Sequence, residues 1–94
     1  MFDLNGKAAL VTGSSKGIVK SIAEEMAKAG AKVVISSRKA EACEEVSREF
    51  TSKGYAAISL PCNIAHKEQL QQLVDATMKH WGKIDILVCN AAAN

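Results

Sequence analysis

Ala8-Ala9-Leu10-Val11-Thr12-Gly13-Ser14-Ser15-Lys16-Gly17-Ile18-Val19 is the stretch that decides the fold. Its first four residues are apolar without a break, as in a strand covered on both faces. A small, polar turn with two glycines follows. After Gly17 the apolar spacing turns helical: Ile18, Ile22 and Met26 form a stripe, with Val19, Ala23 and Ala27 beside them. Strand, glycine turn and helix, in that order, open a strand–helix–strand unit.

The pattern then repeats. Val33-Val34-Ile35 reads as a second strand, Ala57-Ile58-Ser59-Leu60 as a weaker third, and Ile84 with Ile86-Leu87-Val88 as a fourth. Between them lie two more helical stripes: Cys43, Val46 and Phe50, then Leu70, Leu73, Val74, Thr77, Met78 and Trp81. Gly30, Gly54 and Gly82 close the three helical stretches as left-handed stops. The sum, β-α-β-α-β-α-β, predicts an α/β, Rossmann-like fold: a four-stranded parallel sheet with three helices and right-handed crossovers. Helices one and two belong on one face. Helix three crosses the other face and sets strand four beside strand one, in order 3-2-1-4. That reversal opens a crevice at the carboxyl ends of strands one and four, where such sheets bind ligands.

Composition narrows the classes. The 94 residues allow one domain. With 48% hydrophobic residues and a net charge of +2, the chain is neither disordered nor a polyanion binder, so no nucleic-acid partner is expected. No apolar run approaches the ~20 residues of a membrane span. Asp3 interrupts the N-terminus, so no signal peptide is expected there. Cys43, Cys62 and Cys89 are widely spaced, and His66 and His80 stand in no ligand spacing with them. No metal is therefore expected, and the cysteines read as buried or half-buried thiols of a reducing compartment, the cytoplasm or an organelle matrix.

The glycine turn is a candidate anion site. Gly13 and Gly17 let the backbone turn sharply and approach a ligand, and the N–H groups opening helix one face the crevice. At the end of strand two, a carboxylate would bind a ribose 2′-hydroxyl. No Asp or Glu occurs there between Glu25 and Glu41; the chain has Ser36-Ser37-Arg38-Lys39. A guanidinium pairs with phosphate through parallel hydrogen bonds, and serine hydroxyls add neutral ones. Lys16 belongs to the same region. The expected cofactor is NADP(H).

Two motifs carry a family resemblance. Thr12-Gly13-Ser14-Ser15-Lys16-Gly17-Ile18 is similar to T-G-x-x-x-G-[IL]-G, and Asp85-Ile86-Leu87-Val88-Cys89-Asn90-Ala91-Ala92 to D-x-L-V-N-N-A-G. The chain thus resembles the short-chain dehydrogenase/reductase family throughout its length, but only the first part of that family's fold. Residues 1–94 are read as the N-terminal half of a dinucleotide-binding Rossmann domain, its sheet truncated. The resemblance implies that basic residues at the Lys16 and Arg38 positions favour NADP, and that Asn63 meets the adenine amino group where the family often has Asp. The alternative for Asn63 is a turn asparagine capping the next segment. The resemblance also implies that Asn90 steadies the sheet beside the cofactor ribose, and that Ala91 and Ala92 admit the sugar. Ala92 replaces the motif's glycine, as in a branch resembling NADP-dependent carbonyl and retinol reductases. The candidate cofactor-binding residues are Gly13, Ser15, Lys16, Gly17, Ile18, Ser37, Arg38, Lys39, Asn63, Ile64, Asn90, Ala91 and Ala92.

Two departures bear on function. Val19 stands where the motif has its last glycine. Added volume there is expected to weaken NADP binding ~10- to 100-fold; the alternative is that valine extends the apolar stripe. The family's catalytic serine and Tyr-x-x-x-Lys pair have no match, since the one tyrosine, Tyr55, is followed four residues on by Ser59. The expected function is the NADP(H)-binding part of an oxidoreductase that moves hydride between nicotinamide and a carbonyl or alcohol, inactive by itself. The alternative is a non-catalytic folding or association module with weak or no cofactor binding. The outer edge of strand four and the face of helix three lead us to expect a homo-oligomer formed through one of them.

Overall fold

The computed structural model describes residues 3–13, 17–63 and 65–89. Its elements are β1 (Ala8–Thr12), α1 (Gly17–Lys28), β2 (Lys32–Ser36), α2 (Ala40–Ser52), β3 (Ala57–Ser59), α3 (Lys67–Trp81) and β4 (Ile86–Val88). The four strands form one parallel sheet in the order β3-β2-β1-β4, as the sequence pattern predicts. Ala8 to Thr12 lie opposite Lys32 to Ser36, and Ala9 to Val11 lie opposite Ile86 to Val88.

Alternation along the strands divides the core. Ala9, Val11, Val33 and Ile35 face α1 and α2, where Val19, Ala23, Ala27, Cys43, Val46 and Phe50 complete the layer. Leu10 and Val34 face α3, with Cys62 and Leu73, and half-buried Leu70, Val74, Trp81 and Ile84 around them. Full burial of a valine, leucine or phenylalanine contributes ~1.5–3 kcal/mol, so the two layers supply most of the drive to fold. Tyr55 lies at the edge of the first layer, edge-on to Phe50 with centroids 6.0 Å apart.

Polar contacts fix the register and the helix ends. Asp85 clamps the start of β4 onto Ala8: its N–H donates to the Ala8 carbonyl at 2.8 Å, and its Oδ2 accepts the Ala8 N–H at 2.9 Å. Gly82 ends α3 at φ 82°, its N–H donating to the Met78 carbonyl at 2.8 Å. Across the two-helix face, Lys20 pairs with Glu49 at 3.0 Å, and Lys53 pairs with Glu24 at 2.5 Å and Glu49 at 3.4 Å.

Several details differ from the expectations. Leu60 lies outside its strand, β3. The buried row of α1 is Val19, Ala23 and Ala27; Ile18 and Ile22 are exposed and Met26 half-buried. The small side chains of Ala23 and Ala27 let the helix settle onto the sheet. Val19, 7% exposed, is a core residue of α1 and extends its buried apolar row. Ile84 lies outside β4 and packs in the second layer. Met78 is exposed on α3, and Cys89 is exposed whereas Cys43 and Cys62 are buried. Among the described residues, no helix is long and apolar enough to cross a membrane, and no group of three His, Cys, Asp or Glu could hold a metal.

Candidate functional site

All four strands are parallel, so their carboxyl ends share one edge of the sheet. β1 and β4 meet there side by side, at the point where the strand order reverses. Thr12 Oγ1 donates to the Val88 carbonyl at 3.4 Å, tying the two strands together at that edge. Gly13 leaves β1 at φ 71° and Gly17 opens α1 at φ 70°, both in the left-handed region that other residues rarely adopt. A Cβ on Gly17 would meet nothing within 4 Å, so backbone conformation rather than crowding calls for glycine there. Ser15 and Lys16 lie outside the described residues, as do Ile64, Asn90, Ala91 and Ala92.

Ile18 is 78% exposed. Its side chain lines a shallow apolar groove of about 430 Å³ on the flank of α1, with Leu4, Ile22 and Met26. Only its backbone N–H, in the first turn of the helix, can serve a ligand at the strand ends.

The end of β2 divides into a buried and an exposed half. Ser36 and Ser37 are buried, whereas Arg38 and Lys39 are exposed. The next residue starts α2. Lys39 occupies the N-cap in an extended conformation, and no side-chain cap bond forms. Lysine has no acceptor for this purpose, so the first-turn N–H groups keep their partial positive charge beside two cations. A hollow of about 540 Å³ adjoins them, lined by Lys39, Ala40, Glu41, Ala42 and Glu45. The two glutamates oppose an anion within that hollow. Arg38, Lys39 and the helix N-terminus are the part that favours one.

Ser37 is held on every polar atom it offers this turn. Its carbonyl accepts the Cys62 N–H at 2.9 Å, which extends the β2–β3 pairing. Its Oγ accepts the Lys39 N–H at 3.3 Å and lies 3.2 Å from Cys43 Sγ. Asn63 shapes the turn after β3. Its N–H donates to Gln69 Oε1 at 2.9 Å, and its Oδ1 accepts the Ala65 N–H at 3.0 Å. Within the chain Asn63 is a turn asparagine, but it does not cap α3, whose N-cap is His66 with no side-chain cap bond. Burial pushes the neighbouring Cys62 thiol above its ordinary range.

The structure brings Gly13, Gly17, Ser37, Arg38, Lys39 and Asn63 to the same edge of the sheet. Three residues escaped sequence reading as parts of the site's frame. Cys43 reads only as an apolar stripe position, and a stripe carries no sign of a sulfur partner. Gln69 sits in an exposed first turn whose role is visible only once Asn63 is placed. Asp85 reads as a motif letter without its clamp on Ala8.

A family profile described as short chain dehydrogenase matches residues 7–94. Short-chain dehydrogenase/reductase SDRA of Arabidopsis thaliana is 44% identical over 91 residues, covering 97% of this chain and 36% of that protein. Tropinone reductase-like 3 of Erythroxylum coca is 42% identical over 89 residues, covering 95% and 34%. The crystal structure of a short-chain type dehydrogenase/reductase from Mycobacterium marinum superposes with a TM-score of 0.91 at 40% identity, covering 96% of this chain and 36% of that one. The chain thus spans about a third of the length of these relatives (34–36%). With a profile match over nearly its whole length and the strand order to accompany it, the chain belongs to the short-chain dehydrogenase/reductase family.

Proposed function

We propose that this chain is the NADP(H)-binding part of an oxidoreductase that transfers hydride between nicotinamide and a carbonyl or alcohol. Members of the family use a nicotinamide cofactor, NAD or NADP. The observation that carries the choice of NADP is the end of β2. Arg38 and Lys39 are exposed there, beside a helix N-terminus without a side-chain cap, and no acidic residue stands where a ribose 2′-hydroxyl would be bound.

The residues present fit the group. Gly13 and Gly17 adopt the left-handed conformation that brings backbone near a pyrophosphate, with Ser15, Lys16 and the Ile18 N–H in the same turn. Arg38 and Lys39 hold the 2′-phosphate on a turn that Ser37 shapes. An amide oxygen has two lone pairs, so Asn63 Oδ1 can serve Ala65 and an adenine amino group together. The family resemblance assigns Ile64, Asn90, Ala91 and Ala92 to the adenosine and the nicotinamide ribose. When bound, the cofactor supplies the hydride. The 94 residues hold no Tyr-x-x-x-Lys pair to move the accompanying proton, so this chain by itself is expected to bind and orient without turning over substrate.

Among the described residues β4 is an edge strand with Leu87 60% exposed, which supports association with a second copy through β4 or α3. The free thiols suit the reducing cytoplasm.

Thermal unfolding with and without nucleotide tests the cofactor. A ligand at a hundred times its Kd stabilises the state it binds by ~2.7 kcal/mol. NADPH is expected to raise Tm clearly more than the same concentration of NADH. Equal shifts reject the choice of NADP, and no shift with either rejects nucleotide binding.

A further inference from the structure

Cys43 and Ser37 form a buried pair directly beneath the turn that carries Arg38. Cys43 lies on the inner face of α2 with no exposure, and Ser37 is 4% exposed. Two contacts join them. Cys43 Sγ is 3.2 Å from Ser37 Oγ and 3.7 Å from the Ser37 carbonyl oxygen. Each side chain owns one proton. The carbonyl can only accept, so the thiol proton goes to it. The contact between Oγ and Sγ then takes the hydroxyl proton, with sulfur as acceptor. This is the one assignment that uses both contacts. Ser37 Oγ meanwhile accepts the Lys39 N–H at 3.3 Å.

The consequence concerns what selects the cofactor. On that assignment the Ser37 hydroxyl proton is engaged with sulfur and not with a phosphate, although the residue's place in the sequence suggests the latter. Its oxygen instead folds Lys39 back over the strand end, and Arg38 is the residue caught between the two anchors. We propose that Cys43 is a positioning residue for cofactor choice: by taking the Ser37 hydroxyl proton it holds the Ser37-Arg38-Lys39 turn in the shape that presents Arg38 to a 2′-phosphate. The inference deepens the NADP reading and rests on it. It assigns to a core cysteine of α2 a role that neither its position in an apolar stripe nor its burial announces.

The test is the ratio of NADPH to NADH affinity, measured by titration calorimetry on the full chain and on variants at one position. Cys43→Ala and Cys43→Val both remove the thiol, one with less volume and one with more. Cys43→Ser keeps a proton and an acceptor. The ratio is expected to fall about three- to tenfold in both apolar variants, the effect of one ordinary hydrogen bond, and to stay within about twofold of the parent in the serine variant. Ser37→Ala is expected to lower it similarly, and adding Cys43→Ala to that change to lower it little more. A ratio that stays constant or rises in the two apolar variants overturns the proposal alone, a rise meaning that the freed serine hydroxyl serves the phosphate directly. A parent chain that binds both nucleotides equally, or neither, overturns this proposal and the NADP reading together.

Discussion

Asp85 does its work with one carboxylate on two partners, the Ala8 N–H at 2.9 Å and Lys83 Nζ at 3.2 Å. The backbone bond from Ala8, more than the ammonium groups of Lys83 and Lys7, holds its carboxyl below the ordinary aspartate value of 3.8. A pKa lowered by folding means that the charged form is the one folding favours. The stabilisation is therefore complete above the ordinary value and is lost as pH falls through the lowered one. Glu49, lowered from 4.5 chiefly by Lys20, acts in the same direction. Asp85→Asn keeps an acceptor for Ala8 but removes the charge. Its Tm is expected to lie below the parent's at pH 7, with the gap closing as the solution is acidified past 3.8. Thermal scans across that range check this, and a gap independent of pH contradicts it. At the same scale, Cys43 and Asn63 show where sequence reading stops. A residue type and its spacing tell which face a side chain occupies, but not which proton goes to which acceptor.

At the scale of elements, α1 decides how the glycine turn meets the sheet. The helix buries Val19, Ala23 and Ala27 and leaves Ile18 and Ile22 to the open groove on its flank. Periodicity alone could not choose between these adjacent rows, because both are apolar. The choice follows from contact with β1 and β2, which the small alanines permit. Val19→Gly therefore removes core volume and places glycine inside a helix. It is expected to destabilise the chain by ~2–4 kcal/mol in denaturant unfolding and not to tighten NADPH binding. A tenfold gain in NADPH affinity from Val19→Gly would restore the idea that Val19 crowds the nucleotide. The other element with an open question is β4, whose three residues pair only with β1 among the described residues. The proposed association uses its amide edge and the exposed Leu87. Sedimentation at high micromolar concentration is expected to show a dimer or larger species, and Leu87→Lys to shift it toward monomer. A parent chain that sediments as a monomer removes this account of β4.

For the whole molecule, the sheet order was legible because the strands are short and mostly apolar and each helix is followed within two residues by a glycine at positive φ. The choice of faces followed from the handedness of the crossovers, and the structure has α1 and α2 on one side and α3 on the other. The candidate site was legible as a location, since parallel strands put every carboxyl end on one edge. Its inner frame was not, because it rests on particular hydrogen bonds: Ser37 with Cys43 on the next helix, Cys62 with Ser37 across the strand ends, and Asn63 with Gln69. The central claim is that a dinucleotide rests on that edge, with the 2′-phosphate at Arg38. Backbone amide shifts of the labelled chain during addition of NADPH test it most directly. The largest changes are expected at Gly13, Gly17, Ile18, Arg38, Lys39, Asn63 and Cys89, with those at Arg38 and Lys39 much reduced when NADH is added instead. Changes centred on Leu4, Gly30 and Gly82 at the opposite end of the sheet, or spread without a centre, would contradict the account.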